Sequence, residues 1–156
     1  MMTPRLLIRI AAGCMLFFAF GHSMGHFTRR DVEDPKEKEV IQMMLDNKFE
    51  LFGHTTSYDQ MYTGMSMNLI FTLVAFIIIL WHISNISRHN KKLASKLLLP
   101  VTLCVFGFSI TSFLFFFPVP AITCFITGLV STFALIKLNA KEANAEAGRV
   151  ELTPVK

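Results

Sequence analysis

The sequence is poor in charged residues. Only 17% of its 156 residues are charged, against about a quarter in an ordinary soluble domain, and 53% are hydrophobic. This composition excludes an ordinary soluble globular protein. The length leaves room for one compact domain, residues 1–156.

The hydrophobic residues are concentrated in long segments. Four of these reach the roughly 20 residues that a helix needs to cross about 30 Å of hydrocarbon. They are residues 6–27, 64–83, 96–117 and 119–138. Apart from positions at their ends, only Arg9 carries a permanent charge within them, and they lack the alternation of a barrel strand. We therefore predict an all-α fold, an integral membrane four-helix bundle.

The charges predict an orientation rather than a nucleic-acid partner. Ten of the fifteen basic residues fall on one predicted side, whereas the connection 28–63 holds five basic residues against eight acidic ones. The ten are Arg5, Arg9, Arg88, Lys91, Lys92, Lys96, Lys137, Lys141, Arg149 and Lys156. The positive-inside rule places both termini, including the tail 139–156, in the cytoplasm of a cell with an inner membrane. The lipid bilayer is the expected partner, and the net charge of +4 needs no nucleic acid.

The first apolar segment has features of a removable signal. Arg5 and Arg9 precede an apolar run, and the four residues that end at Cys14 resemble a lipoprotein cleavage box. The apolar run continues well beyond Cys14, which favours a retained first span. Cleavage would leave three spans and place the new N-terminus outside.

The connection between the first two spans carries a helix-start signature. Asp34 is a cap residue, Pro35 suits the first helical position, and Glu37 completes a capping box. Apolar residues then recur every three or four positions until Gly53, which is placed to end a helix. These residues are Ile41, Met44, Leu45, Phe49 and Phe52. They predict an amphipathic helix at the membrane interface.

Two histidines stand out near the end of the first span. His22 and His26 are four residues apart, so their rings share one face of a helix and are spaced to bind one metal ion. Zinc or another transition metal would need further ligands, for which His54 and Asp59 lie on the correct side. No H-E-x-x-H or C-x-x-C motif supports this interpretation.

The same segment has a simpler interpretation. Gly21 and Gly25 form a small-xxx-small motif that permits close approach of a neighbouring helix, and the histidines can hydrogen-bond to that neighbour or to water. A proton or ligand contact is a third alternative. The sequence predicts no cofactor, and Cys14, Cys104 and Cys124 are expected to be reduced packing residues.

Other small or aromatic polar residues are expected to serve anchoring and packing. Tyr58 and Tyr62 lie where tyrosines anchor at a membrane interface. On the fourth span, the polar stripe is expected to make helix contacts, with a ligand cavity as the alternative. The stripe is Thr123, Thr127 and Ser131. Pro118 and Pro120 predict a tight hairpin that makes the last two spans antiparallel neighbours.

Several of these features resemble an uncharacterised family of small bacterial four-span membrane proteins. The resemblance rests on Gly21-His22, the acidic connection, Phe49-x-x-x-Gly53 and Ser57-Tyr58-x-x-x-Tyr62-x-Gly64, over roughly the first 85 residues. It implies the four-span architecture. It marks His22, Tyr58, Tyr62 and Gly64 as positions of interest and implies no reaction.

Two functional hypotheses follow. The first is a non-enzymatic binding or assembly protein whose partner is another membrane protein or a second copy of the chain. The alternative is a membrane enzyme or a metal- or cofactor-binding protein that uses the histidines of the predicted outer face. The absence of a catalytic signature favours the first.

Overall fold

The computed structural model describes residues 2–150, with side chains for residues 2–140. Five helices and one β-hairpin make up its regular structure in these residues. In chain order they are α1 (Pro4–Thr28), α2 (Pro35–Asp46), β1 (Lys48–Leu51), β2 (His54–Ser57), α3 (Tyr58–Ile86), α4 (Lys91–Phe115) and α5 (Pro118–Val150). The tail 139–156 lies partly outside the described residues.

Four helices are long and apolar enough to cross a membrane: α1, α3, α4 and the part Pro118–Ala140 of α5. Each contains most of one of the four predicted segments, so the predicted number and type of long apolar elements are confirmed. This is a statement about length and composition, and it indicates a multi-pass membrane protein.

The chain divides into two compact units. Helices α1 and α3 each contribute residues to both units. The hairpin unit is Ala19–Val74, and the four-helix unit is Met1–Phe18 with Ala75–Lys156. In the four-helix unit each helix contributes fully buried side chains, among them Ile8, Leu80, Leu98 and Leu138.

Helices α4 and α5 of the four-helix unit are antiparallel neighbours, as predicted. The Ser109 hydroxyl donates to the Ala121 carbonyl at 2.9 Å. Farther from the connection, a Cβ placed on Gly128 would lie 2.7 Å from the Phe106 ring. The helix ends differ from the prediction. The turn is at residues 116–117, and Pro118 and Pro120 lie in the first turn of α5, where a missing N–H is tolerated.

The hairpin unit confirms the predicted start of α2 and corrects its end. Asp34 accepts hydrogen bonds from the backbone N–H groups of Lys36 and Glu37, and Pro35 is the first helical residue. The helix ends at Asp46, not at Gly53, and none of its residues is buried. The apolar face of the amphipathic helix is therefore shorter than predicted, since Phe49 lies on β1.

A β-hairpin occupies the segment in which the sequence predicts the end of α2. Strand β1 pairs antiparallel with β2, with Lys48 opposite Ser57 and Leu51 opposite His54. Phe52 and Gly53 form the two-residue turn with φ of 51° and 81°. Positive φ at both positions is what a type I′ hairpin turn requires, and glycine adopts it without strain.

Helix α3 starts at Tyr58, before the predicted residue 64, because Ser57 and Gln60 cap it reciprocally. The Ser57 hydroxyl accepts from the Gln60 N–H at 3.3 Å, and the Gln60 side-chain oxygen accepts from the Ser57 N–H at 3.0 Å. This capping box satisfies two backbone groups that otherwise lack partners. It brings Asp59 into the first turn of α3, where a carboxylate is favoured by the helix dipole.

Candidate functional site

Both histidines of α1 contact one serine of α3. His22 Nε2 lies 3.3 Å from the Ser66 carbonyl oxygen and 3.0 Å from its hydroxyl, and His26 Nδ1 lies 2.9 Å from the same hydroxyl. Ser66 is buried, with 6% of its surface exposed. The rings that four-residue spacing placed on one face therefore converge on a neighbouring helix.

The carbonyl contact defines a consistent proton arrangement. A carbonyl oxygen only accepts, so His22 Nε2 carries the proton that it donates to Ser66. The Ser66 hydroxyl is then able to donate its proton to His26 Nδ1, which leaves the proton of a neutral His26 on Nε2. One serine can thus pair with one nitrogen of each ring.

One turn farther along, two arginines bind a buried aspartate. Arg29 Nη2 donates to Asp59 Oδ1 at 2.7 Å, and Arg30 Nη2 donates to Asp59 Oδ2 at 2.5 Å. The Asp59 side chain is 3% exposed, that of Arg29 is 18% exposed and that of Arg30 is 53% exposed. The Arg29 pair is therefore shielded from solvent, whereas the Arg30 pair is not.

Thr63 and Tyr62 hold Arg29 in place. Arg29 also donates to the Thr63 hydroxyl at 2.7 Å, and that hydroxyl donates to the Asp59 carbonyl at 2.8 Å. The guanidinium carbon lies 4.7 Å from the centre of the Tyr62 ring, within cation–π range. Arg29 thus has a carboxylate, a hydroxyl and an aromatic face as partners.

These contacts form a polar seam between the end of α1 and the start of α3. We define the polar seam as His22, His26, Arg29 and Arg30 with Asp59, Thr63 and Ser66. His22, His26 and Arg29 follow the spacing i, i+4, i+7, with both arginines just beyond the end of α1, and Asp59, Thr63 and Ser66 follow the same spacing on one face of α3. Because His22 and His26 meet Ser66 while Arg29 meets Asp59 and Thr63, the two stripes run antiparallel.

The residues predicted as metal ligands are not gathered into a metal-binding set. His22 and His26 contact Ser66, Asp59 is bound by two arginines, and His54 lies exposed on β2. Among the described residues there is no group of three or more His, Cys, Asp or Glu side chains that can hold a metal ion. Asp59 instead neutralises cations of the chain itself.

The glycines of the predicted packing motif have no neighbour in the described chain. No atom lies within 4 Å of a Cβ placed on Gly21, Gly25 or Gly64, apart from their own local backbone. The neighbouring side chains Phe17 and Met24 are 62% and 53% exposed. The glycine face of α1 is therefore open, in contrast to its histidine face.

The other residues predicted to serve anchoring or packing lie outside the polar seam. The Tyr58 ring lies 4.9 Å from that of Phe49, which joins β1 to the start of α3. In α5 of the four-helix unit, the hydroxyls of Thr123 and Thr127 donate to carbonyls one turn earlier in the same helix. The Ser131 hydroxyl is buried without a hydrogen-bond partner in the described part of the chain.

Four residues of the polar seam were not predicted from the sequence: Arg29, Arg30, Thr63 and Ser66. A signal for them is present, because the i, i+4, i+7 polar spacing from His22 is repeated from Asp59 in the next apolar helix. Two polar stripes of matching spacing and opposite charge at facing ends of consecutive helices predict a contact between them.

Comparisons with known proteins identify no relative of this chain. No protein-family model matches the sequence, and searches of curated proteins and of solved structures give no significant match. The resemblance based on the sequence motifs therefore stays a prediction.

Chemically, the polar seam is suited to joining two helices. Its ionised groups are paired, its rings share one hydroxyl, and hydrogen bonds of this kind hold helices together where water is scarce.

Proposed function

We propose that this chain is a non-enzymatic binding or assembly protein of a bacterial inner membrane. The observation that carries the proposal is the difference between two faces of α1. On one face His22 and His26 are used in contacts with α3, and on the other Gly21 and Gly25 are open.

The open glycine face suits an apolar helix of another chain. Glycines at four-residue spacing let two helix backbones approach closely, and van der Waals contact over that length drives association in lipid. A second copy of this chain or a different membrane protein can supply the partner helix. The polar seam would then fix the end of α1 and keep the glycine face in a constant position.

The proposed orientation places both termini in the cytoplasm. Its support is the charge distribution: ten basic residues lie near the termini and the 87–90 connection, and eight acidic residues lie in the connection 28–63. Reporter fusions test it directly. Alkaline phosphatase fused after Lys156 is expected to be inactive and a fluorescent protein at the same position to be bright. The reverse result would refute the orientation.

Association is tested with bulky substitutions on the glycine face. The full-length protein in nanodiscs or neutral detergent is expected to form a stoichiometric complex, with itself or with a co-purifying membrane protein, that light scattering and mass spectrometry can measure. Gly25→Leu is expected to dissociate the complex, because leucine keeps the backbones apart.

Gly13→Leu is the matched control. Gly13 lies in the same helix, is also exposed, and has no neighbour within 4 Å of a Cβ placed on it. This variant should leave the complex intact. A monomeric parent with no partner, or equal loss in both variants, would contradict the proposal. A stoichiometric metal or haem in the purified parent would instead favour a cofactor-binding protein.

A further inference from the structure

The four-helix unit contains a basic cavity that the proposed function does not use. Its volume is about 580 Å³, and it is lined by Arg5, Arg88, Lys91 and Lys137, together with small and apolar groups. Sites for small molecules commonly measure about 300–1,000 Å³, so the cavity has room for a phosphate group and the atoms attached to it.

No acidic side chain of the described part of this unit balances these cations. All acidic residues within 2–140 lie between Asp31 and Asp59, in the hairpin unit. The other three, Glu142, Glu146 and Glu151, lie outside the described side chains. Four cations that line one cavity repel one another, and a bound anion would relieve that repulsion.

Hydrogen-bond donors at the cavity point to the same conclusion. Lys137 donates to the Met2 carbonyl at 2.8 Å, which holds its ammonium group at the cavity. Helix α4 begins at Lys91, so the positive end of its dipole lies there too.

We propose that this basic cavity binds a phosphate group. Arg5 and Arg88 are suited to bind phosphate oxygens through paired N–H groups, and Lys91 and Lys137 add charge. The phosphate can belong to the headgroup of an anionic phospholipid or be free inorganic phosphate. Met2, Pro4 and Ala140 in the lining provide apolar contacts that a lipid would use and inorganic phosphate would not.

The test compares two double variants of equal charge in the full-length protein. Arg88→Gln with Lys91→Gln removes two cations that line the cavity. Lys92→Gln with Lys96→Gln removes two exposed cations that do not. Native mass spectrometry in neutral detergent counts bound phosphatidylglycerol and phosphatidylcholine of the same acyl chains. A separate arm follows inorganic phosphate by phosphorus NMR.

We expect the parent to bind phosphatidylglycerol at least about tenfold more tightly than phosphatidylcholine, because both lipids carry a phosphate but only phosphatidylcholine carries a choline cation, which the cations of the cavity repel. The cavity variant should lose that preference, and the control should keep it within about twofold. If inorganic phosphate binds with the same dependence on the variants, free phosphate is the ligand. If only the lipid does, the ligand is the headgroup.

Two results would overturn the proposal. If the parent binds both lipids equally and binds no inorganic phosphate, the cavity does not select an anionic phosphate group, and the proposal fails. Equal loss in both double variants would show that the attraction is diffuse surface charge. Circular dichroism verifies that each variant is folded. If the cavity variant is not, Lys91→Gln alone, at an exposed side chain, is compared with Lys92→Gln in the same way.

Discussion

The Asp59→Asn variant tests whether the polar seam stabilises the hairpin unit. Asp59 is 3% exposed and binds Arg29 and Arg30 through separate oxygens. Asparagine keeps the shape and one accepting oxygen but removes the charge. Both arginines then lose their carboxylate, and Arg29, at 18% exposure, is poorly placed to be solvated instead.

The exposed fractions of the side chains determine how much each substitution is expected to lower the free energy of unfolding. Breaking a buried ion pair by removing one partner costs about 3–5 kcal/mol, whereas an exposed pair contributes about 0–1 kcal/mol. We expect Asp59→Asn to lower the free energy of unfolding by about 3 kcal/mol. Arg29→Gln should lower it by about 2 kcal/mol, less than Asp59→Asn, because Asp59 keeps Arg30 as a counterion. Arg30→Gln should lower it by about 0.5 kcal/mol, because its side chain is half exposed.

The assay is equilibrium unfolding in mixed micelles of dodecyl sulfate and neutral detergent, followed by far-ultraviolet circular dichroism. A double-mutant cycle of Arg29→Gln with Asp59→Asn should give a coupling energy of at least about 1 kcal/mol. Equal destabilisation by Arg29→Gln and Arg30→Gln would refute the assignment, since burial would then have no bearing on these pairs. A change of less than about 0.5 kcal/mol in Asp59→Asn would refute it too.

Five further substitutions use the same unfolding assay. Ser66→Ala should lower stability by about 1 kcal/mol, because both histidines lose a hydroxyl partner; an unchanged value would mean that the contacts contribute nothing. Gly53→Ala should lower it by about 1–2 kcal/mol owing to its positive φ, whereas Gly64→Ala within α3 should raise it by about 0.5–1 kcal/mol. Gly128→Ala should lower it by about 1 kcal/mol or more through a clash with a phenylalanine ring, and Gly107→Ala, at an open position, should not.

The four long helices could be predicted from the sequence because one physical constraint dominates. A run of some 20 apolar residues in lipid has to satisfy its backbone internally, so length and composition decide the element whatever its neighbours are. The ends of the helices depend on capping instead. The apolar run of the second span begins at residue 64, but the reciprocal cap of Ser57 and Gln60 extends the helix to Tyr58.

In the connection between α1 and α3, hydrophobic periodicity predicts the wrong end for a helix. Phe49 and Phe52 follow the helical spacing of Ile41 and Leu45, so an apolar pattern alone continues α2 to Gly53. Phe49 instead lies on β1 and Phe52 in the turn. The two-residue turn with glycine in second position is a local signal for a hairpin, and it competes with the equally local signal of a helix end at glycine.

The polar seam shows why single residues are less informative than matched stripes. The spacing of His22 and His26 suggests a metal ion, for which the connection offers His54 and Asp59 as further ligands. The partner that the histidines contact is Ser66, an inconspicuous hydroxyl. Within lipid a lone polar side chain is costly, so polar residues on apolar helices are stabilised by a partner, which is their own helix for Thr123 and Thr127 and another helix for His22 and His26.

The contacts of α1 determine which of its two faces can bind a partner at the lower cost in free energy. His22 contacts the buried Ser66 through Nε2 and His26 contacts it through Nδ1, so a ligand at either of these two nitrogens would displace an existing hydrogen bond. No such penalty applies to the glycine face, where nothing within the described chain has to move. A partner helix at Gly21 and Gly25 therefore displaces no existing contact, whereas a ligand at His22 Nε2 or His26 Nδ1 displaces the contact with Ser66.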